Sequence, residues 1–378
     1  MTTSTGAFDL AVIGGGIVGI AHAVAALERG MSVAMIERDG VCRSASIRNF
    51  GMLWPIGQRP GPDEARALRS LQIWTKLAPL AGFHLNPCGS LHLVHHEDEA
   101  RVIREYLEQT QGASRRRWLD PAEVLERAPG AAADGLLGAL WSPTECCIDP
   151  REAVERLTHW LDARPNVTRY IGTATRAVPG EVHLADGAQL CAERVVVCPG
   201  AEQATLFPAL LEAAPLIACK LQMLRTVPQR DGWRMGPMLA TGLTLRHYEA
   251  FRSCPSLTEV CARYASEEPH FDRHGIHVMA SQNARGEVVL GDSHEYGRPF
   301  SPGSSATVDE HILDVARRRF RLKDATIAAR WTGVYLKRED GGCGVALDAA
   351  DGIQVITGMG GAGMTCSFGF AEQVLDGA

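Results

Sequence analysis

The 378-residue sequence predicts a mixed α/β fold, and three observations support this prediction. The first is a strand, glycine turn, helix and strand pattern at residues 8–39. The second is another glycine loop, "GMGGAGMT" at residues 358–365, which again lies between an apolar run and a helical pattern. The third is the chain length, which fits about two domains of ~150 residues each.

The composition is that of a globular protein, with 46% hydrophobic and 22% charged residues. A net charge of −6 leaves no basic surplus for nucleic-acid binding. The apolar stretch from Leu10 lacks the basic flank of a signal peptide. The eleven cysteines show no paired CxxC spacing, and the histidines in "LHLVHHEDEA" fit a strand that runs into a polar turn and a helix. We therefore expect a cytoplasmic protein with no membrane span, no nucleic-acid partner and no metal.

The stretch "FDLAVIGGGIVGIAHAVAALERGMSVAMIERD" at residues 8–39 forms the first βαβ pattern. Its GxGxxG glycines permit a tight turn, close approach of a pyrophosphate and close packing of helix on strand. The helix N-terminus offers free amides to phosphates, and Glu37 ends the second strand, where a carboxylate accepts ribose hydroxyls. This predicts a Rossmann-type site for NAD or FAD, and disfavours NADP. The expected contacts are Gly14, Gly16, Ile17, Val18, Gly19, Glu37 and Arg38.

The segment "VCRSASIRNFGMLWPIGQRPG" at residues 41–61 follows at once. A nicotinamide dehydrogenase usually continues with another βα unit here, whereas this run offers hydroxyl, amide and backbone donors instead. Its large apolar side chains favour a partly buried loop over a solvated one. We expect cofactor contacts from Ser44, Ala45, Ser46, Asn49, Phe50 and Gly51.

Together with "RVVVCPGAEQ" (194–203) and the late glycine loop, these motifs resemble the FAD-dependent D-amino acid oxidase, glycine oxidase and sarcosine oxidase superfamily over essentially the whole chain. The stretches "SASIRNFGMLWPIGQ" and "VVLGDSHEYG" look like its subgroup associated with bacterial phosphonate breakdown. The resemblance implies α/β and α+β regions. It places an FAD-binding domain at residues 1–60, 145–215 and 325–378, interwoven with a mixed β-sheet substrate domain at 61–144 and 216–324.

The resemblance also assigns both glycine loops to one cofactor. The first loop would hold the pyrophosphate, and the amides that start the helix after the late loop would face the flavin N1–O2 edge, where they stabilise negative charge. By the same similarity, the backbone of Thr175 would meet the adenine-bearing half. The remaining expected contacts are Pro199, Gly200, Ala201, Gly360, Gly361, Gly363, Met364 and Thr365.

The resemblance predicts that FAD is bound non-covalently. Some relatives tether the flavin through a cysteine just before the last strand, and the matching stretch "WTGVYLKRED" contains none; Cys343 comes several residues later. Others tether it through a histidine in the early loop, where "RSASIRNF" has no histidine.

Amino acid oxidases of this family carry an arginine that forks onto the substrate carboxylate, within a W-x-G-L-R stretch. Here that stretch runs from Trp331 to Tyr335, so tyrosine replaces the arginine. A buried carboxylate without this partner is poorly compensated, which disfavours an α-amino acid. Lys337 and Arg338 come shortly after, and we expect them to serve a bulkier anion such as a tetrahedral phosphonate.

Further candidates follow from position and chemistry. Catalytic roles are expected for Arg48, Lys220 and His294, and substrate contacts for Arg48, Gln222, His294, Tyr335, Lys337 and Thr365. Lys220 and Gln222 share one strand face because side chains alternate along a strand. His247 and Tyr248 are additional candidates. The oxygen-activating lysine of the family is replaced by Val288 or Val289, so oxygen use would depend on another cation, for example Lys220.

The leading functional hypothesis is an FAD-dependent oxidase of an aminophosphonate, a compound like 2-aminoethylphosphonate or its N-methyl derivative. It would oxidise the C–N bond to an imine, with O2 as electron acceptor. The alternatives are a sarcosine- or glycine-type amino acid oxidase, a 2-hydroxy acid dehydrogenase on the same fold, and a non-catalytic flavin-binding module. The oligomeric state and the need for a general base stay open.

Overall fold

The computed structural model of the protein describes residues 4–110 and 115–377. Its strands are β1 (Ser4–Ile13), β2 (Val33–Glu37), β3 (Met52–Leu53), β4 (Leu85–Asn86), β5 (Ser90–Val94), β6 (Arg117–Leu119), β7 (Gly138–Ser142), β8 (Cys146–Ile148), β9 (Val167–Ile171), β10 (Ala174–Val178), β11 (Glu181–Leu184), β12 (Gln189–Val197), β13 (Leu216–Pro228), β14 (Met238–Ala240), β15 (Met279–Gln282), β16 (Glu287–Gly291), β17 (Glu295–Tyr296), β18 (Ile327–Arg338), β19 (Val345–Ala350) and β20 (Ile353–Thr357). Its helices are α1 (Ile17–Leu27), α2 (Pro62–Ala81), α3 (Glu97–Gln109), α4 (Pro121–Arg127), α5 (Pro150–Asp162), α6 (Pro208–Ala213), α7 (Leu257–Glu267), α8 (Pro269–His274), α9 (Ala306–Arg319) and α10 (Gly363–Leu375).

The first sheet has a parallel centre. Its order is β10, β11, β12, β1, β2 and β9, with β20 beside the end of β12 and β19 beside β20. The pairs of β1 with β12 and β2, of β2 with β9, and of β12 with β20 are parallel. Leu10, Ala11 and Val12 have no exposed surface, as expected for a central strand covered on both faces. Ligands bind outside the carboxyl ends of such strands, which meet here at one edge.

The second sheet is mainly antiparallel and larger. Its order is β17, β13, β16, β15, β14, β5, β7 and β6, and β18 pairs with β13 along almost its whole length. Strand β14 pairs in parallel with β5. A third, small sheet joins β3, β8 and β4, and so links the early polar loop to the segment that enters α5.

The two strands of the first βαβ pattern are present as β1 and β2, and "VTRYIGTATRAV" (167–178) forms two strands, β9 and β10. Two features of the structure connect the two expected domains. Strand β18 lies in the second sheet although it follows residue 325, and α2 packs on α10 of the first domain. There the Trp74 indole N–H donates to the Met364 carbonyl at 2.8 Å, and the Gly369 amide donates to Ser70 Oγ at 2.8 Å. Across the described ranges, none of the helices combines the length and the apolarity that a membrane crossing requires.

Candidate functional site

A cavity of about 650 Å³ connects the two glycine loops. One end lies at the carboxyl ends of β1 and β2, and its wall continues along the polar loop of residues 43–50 to the start of α10. The far end is closed by β18 and by residues near the ends of β15 and β16 of the second sheet. The cavity therefore spans both sheets, as a long ligand requires.

The turn after β1 needs its glycines for steric reasons. A Cβ atom on Gly19 would lie 1.9 Å from the Gly14 carbonyl oxygen, far inside van der Waals contact. Gly14 has φ +112°, and a Cβ there would lie 2.4 Å from the Cys198 carbonyl oxygen. Helix α1 consequently approaches the sheet more closely than a side chain at Gly14 or Gly19 would allow. Its N-terminus faces the cavity.

Polar partners at this end fit the ADP half of FAD. The Ile17 amide, at the start of α1, donates to Ser46 Oγ at 2.9 Å, so a hydroxyl lies where a phosphate oxygen would be bound. Glu37 Oε2 accepts from the Gly15 amide at 2.7 Å, and its Oε1 accepts from the Asp39 amide at 3.0 Å. The carboxylate is thus fixed at the end of β2, where ribose hydroxyls are expected.

The late loop supplies the other half of the cradle. Gly358 and Gly360 have φ +72° and +58°, which favour glycine, and α10 begins at Gly363 with its first residues lining the cavity. A Cβ on Gly361 would lie 3.9 Å from the Tyr335 hydroxyl, so backbone is open to the cavity there. The Trp54 indole N–H is buried in this wall without a protein acceptor among the described residues. The residues present fit FAD.

Three imidazoles and a carboxylate line the far end of the cavity. The His247 ring lies 4.0 Å from the His277 ring and 4.5 Å from the His294 ring, measured between centroids. Asp292 lies beside them, with Oδ1 3.0 Å from His277 Nε2 and Oδ2 3.7 Å from His294 Nε2. His294 Nδ1 is 3.1 Å from the Gly275 carbonyl oxygen. We call these four side chains the histidine cluster.

Burial controls protonation in this cluster. It lowers the pKa of His294, and it lowers the pKa of His247 well below the usual value, with the neighbouring imidazoles acting in the same direction on His247. Burial opposes ionisation of Asp292, yet the adjacent His277 and His294 outweigh it and lower the pKa of that carboxyl. The pKa shifts of His247 and His294 thus favour neutral rings, and that of Asp292 favours an ionised carboxylate.

Tyr335 and Lys337 approach the cluster from β18. Burial raises the pKa of the Tyr335 phenol well above its usual value, so this hydroxyl remains a hydrogen-bond donor. Lys337 lines the cavity and its Nζ lies 5.1 Å from the centre of the Tyr296 ring. A neutral donor and a cation therefore stand near the imidazoles.

Arg48 lines the cavity and also fixes its wall. Its Nε donates to the Arg43 carbonyl at 2.9 Å, and its Nη1 donates to the Thr332 carbonyl of β18 at 2.9 Å. The Trp331 indole N–H donates in return to the Arg48 carbonyl at 3.2 Å. The guanidinium holds the polar loop of residues 43–50 against β18, and its Nη2 takes no part in these two bonds.

Most residues expected at the site line this cavity, but four do not. Lys220 donates from Nζ to Glu295 Oε2 at 3.2 Å and to the Ser301 carbonyl, and Gln222 bonds both ways with the Ser305 backbone. They do share a strand face, but Leu221 from the opposite face reaches the cavity. This corrects the catalytic role expected of Lys220 and the substrate contact expected of Gln222.

Two cofactor contacts are also displaced. Gly172, Thr173 and Ala174 line the cavity in place of Thr175, whose hydroxyl donates to the His183 carbonyl at 3.3 Å. Gly51 serves the turn instead: it has φ +72°, and a Cβ would lie 2.0 Å from the Ile148 carbonyl oxygen. Thr365 does line the cavity, although its Oγ1 is engaged by the Trp54 amide at 2.9 Å.

Sequence reasoning missed His277 and Asp292. The structure pairs them just beyond the antiparallel strands β15 and β16, where each backbone amide donates to the other residue's carbonyl, at 3.1 and 2.7 Å. Such pairs bring side chains together. The signal available in the sequence was the repeated histidine within two strand-like segments, "GIHVMASQN" and "VVLGDSHEYG".

Comparison with known proteins places the fold. Bifunctional protein ThiO/ThiG of Trichormus variabilis is 32% identical over 149 residues, which is 37% of this chain and only 22% of that protein, so the match covers about a fifth of the relative. One subunit of the opine oxidase of Rhizobium meliloti is 25% identical over 356 residues, covering 88% of this chain and 83% of the relative. The crystal structure of glycine oxidase from Geobacillus kaustophilus superposes with a TM-score of 0.76 at 19% identity, over 98% of this chain and 94% of that chain.

A family model described as "DAO: FAD dependent oxidoreductase" matches residues 9–376. It covers both glycine loops and the second sheet, and the cavity between them accommodates the cofactor that this description names. The chain belongs to the DAO family of FAD-dependent oxidoreductases, and its cofactor is FAD.

Proposed function

We propose that the protein is an FAD-dependent oxidase of an aminophosphonate, a compound like 2-aminoethylphosphonate or its N-methyl derivative. The C–N bond of the substrate is oxidised to an imine, which water hydrolyses to an aldehyde and an amine. O2 takes up the electrons and becomes H2O2. The family membership supports the redox chemistry, and the far end of the cavity supports the substrate class.

The observation that carries this proposal is the donor set around Tyr335. A carboxylate is planar and matches a guanidinium fork, but the described wall near Tyr335 presents a phenol, imidazoles and an ammonium instead. Arg338, next on β18, is engaged by Asp340, with Nε 2.9 Å from Oδ1, and by the Gly344 carbonyl at 3.1 Å. Donors that come from several directions suit the three oxygens of a tetrahedral phosphonate.

Bound FAD supplies a two-electron acceptor for the hydrogen on the carbon beside the amine nitrogen. The protein's own task is to orient that carbon and to exclude water. The free amides at the start of α10 place the positive end of its dipole at the cavity. Tyr335, Lys337 and the histidine cluster would hold the anionic end of the substrate. An amine bound with its lone pair free needs no dedicated base.

A sarcosine- or glycine-type amino acid oxidase is the second candidate, because glycine oxidase of Geobacillus kaustophilus is also 26% identical over 212 residues. Arg48 is the side chain that favours it, since its guanidinium reaches the cavity. Its bonds to Arg43 and Thr332 use the Nε–H and one Nη1–H, which leaves three N–H groups on Nη1 and Nη2 for an anion.

Anaerobic reduction of the purified yellow protein tests the two functions. Each phosphonate is paired with the carboxylate of equal chain length: 2-aminoethylphosphonate with β-alanine, and its N-methyl derivative with N-methyl-β-alanine. Sarcosine is added as the substrate of the second candidate. We expect the phosphonate of each pair to bleach the flavin faster, and air to restore the colour with formation of H2O2. Faster bleaching by sarcosine or β-alanine would overturn the substrate assignment, and failure of air to restore the colour would exclude an oxidase.

A further inference from the structure

We propose that His247, His277 and His294 form a binding site for a divalent first-row transition-metal ion, with Zn²⁺ as the reference ion. Each of these side chains offers one ring nitrogen, and the three atoms lie within 4.8 Å of one another. The site faces the substrate cavity. Three imidazoles are a ligand set that suits zinc, iron, nickel and copper.

The hydrogen bonds around the rings leave the required lone pairs. His277 Nε2 is 3.0 Å from Asp292 Oδ1, and the nearby carboxylate favours a proton on this nitrogen, which leaves the lone pair on Nδ1. That Nδ1 is buried and has no partner among the residues the structure describes. His294 Nδ1 is 3.1 Å from the Gly275 carbonyl oxygen, which fixes its proton there and leaves Nε2 as an acceptor. Metal-binding histidines are held in this way by a carboxylate or a carbonyl on the far nitrogen.

The buried carboxylate of Asp292 favours a cation in this cluster, whereas the Lys337 ammonium in the same cavity opposes one. Asp292, His277 and His294 are almost fully buried, with exposed fractions of 4%, 4% and 5%. A buried carboxylate costs free energy unless an opposite charge compensates it. A divalent ion bound to His277 and His294 would supply that compensation through the two rings that contact Asp292.

The geometry requires only a modest closure. Ring nitrogens on a tetrahedral zinc ion lie about 2.0–2.1 Å from the metal and hence roughly 3.3 Å apart, so nitrogens that now lie within 4.8 Å of one another must approach by up to about 1.5 Å. His247 follows a short turn at Gly242–Arg246 and is only half-buried, which makes it the ligand with most room to turn. Three protein ligands leave one position of the ion open toward the cavity.

The fourth coordination position of the ion, which is open toward the cavity, suits an anionic oxygen as its ligand. That a phosphonate oxygen of the substrate occupies it is a second step, and this step alone rests on the proposed function. The metal site itself depends on the three histidines and not on which amine the enzyme oxidises, so the two can be tested apart.

The test measures metal on the tag-free, FAD-loaded protein without substrate. The protein is stripped with a chelator and dialysed against Zn²⁺; bound zinc is then counted by elemental mass spectrometry, and its Kd is measured by competition with a chromogenic chelator. We expect about one zinc per chain, and affinity at least tenfold weaker in His247→Gln and His294→Gln. The flavin spectrum of each variant shows whether it has folded.

A matched control comes from a second histidine group outside the cavity. His311 lies 4.5 Å from His270 and 5.4 Å from His274 between ring centroids, and His311→Gln should bind zinc like the wild type. Loss of zinc in His311→Gln with retention in His247→Gln would overturn the proposal, as would a wild-type protein that retains no zinc.

X-ray absorption of the zinc-loaded wild type gives a readout that requires no variant. We expect three imidazole nitrogens at about 2.0–2.1 Å, and fewer than two would contradict the site. In a separate arm, 2-aminoethylphosphonate should tighten zinc binding at least threefold while β-alanine does not. If zinc binds in the first arm but this preference is absent, the metal site stands and the phosphonate assignment fails.

Discussion

The backbone N–H of Trp54 donates to Oγ1 of Thr365 at 2.9 Å in the protein interior. This bond joins two segments that are 311 residues apart in the chain and that line the same cavity. The Trp74 indole, which donates to the Met364 carbonyl at 2.8 Å, secures the same turn of α10 from α2. The start of α10 is therefore positioned by contacts with residues that follow the first glycine loop.

Thr365→Val should test this link. Valine keeps the shape but removes the acceptor, so the Trp54 amide is left buried without a partner, which costs about 1–3 kcal/mol. We expect the free energy of unfolding of the FAD-loaded protein to fall by that amount and FAD to dissociate faster. Urea unfolding and fluorescence of released FAD measure the two effects. Thr365→Ser keeps the hydroxyl and is the control; equal losses in both variants would show that the hydrogen bond is not the cause.

Gly19→Ala should abolish cofactor binding, because its Cβ would lie 1.9 Å from the Gly14 carbonyl oxygen. Overpacking of this kind costs about 1–3 kcal/mol or more and would push α1 away from the phosphate site. Gly30→Ala is the matched control: its φ of +74° carries a backbone cost of about 1–2 kcal/mol, but nothing lies within 4 Å of its Cβ. We expect both variants to lose stability, and only Gly19→Ala to lose FAD affinity in a titration of the apoprotein.

Local motifs made the cofactor end of this site predictable. A glycine that must adopt a positive φ, or that must allow another backbone segment to approach closely, occurs at a fixed spacing in the sequence. The turn from Gly14 to Gly19 and the carboxylate of Glu37 could therefore be placed without a structure. The Ser46 hydroxyl at the start of α1 was within reach for the same reason, since short polar loops present donors and acceptors locally.

The substrate end was less predictable because it depends on pairing between distant strands. The side chains of strand β13 alternate between its two faces. Lys220 and Gln222 share one face, and their polarity suggested that this face lines the cavity. Both faces of this strand are covered, however, and the polar row bonds with Glu295 and the Ser305 backbone while Leu221 reaches the cavity. Side-chain period alone cannot choose between two covered faces. The register that joins β15 to β16 is likewise absent from any local pattern.

Tyr335→Phe should lower kcat/KM for the aminophosphonate roughly ten- to a hundredfold, since a hydrogen bond to a charged group contributes about 1.5–3 kcal/mol. FAD affinity should not change, because the Tyr335 hydroxyl is only in ordinary van der Waals contact with the late glycine loop. A Cβ atom built on Gly361 would lie 3.9 Å from this hydroxyl. Steady-state kinetics and FAD titration measure the two quantities. Tyr296→Phe removes a phenol that is not part of the cavity wall and should retain activity. A similar loss in both variants would argue against substrate binding by Tyr335.

His22 should make the FAD-binding domain sensitive to acid. It is completely buried in α1, its Nδ1 lies 2.7 Å from the Val18 carbonyl oxygen, and its Nε2 has no partner among the described residues. Burial lowers the pKa of His22 from 6.5 to about 4. The unfolded chain therefore takes up the proton first as pH falls, so stability is complete above pH 6.5 and decreases between about pH 6.5 and 4.

Over those 2.5 pH units, about 1.4 kcal/mol per unit amounts to roughly 3.5 kcal/mol for this one group. His22→Leu removes the proton uptake, so its urea-unfolding free energy should fall less steeply between pH 7 and 4.5 than that of the wild type. His159→Gln, which removes an exposed histidine of α5, should follow the wild-type curve. If His22→Leu keeps the full wild-type slope, the acid sensitivity arises elsewhere, for example at His92, where burial lowers the pKa to about 3.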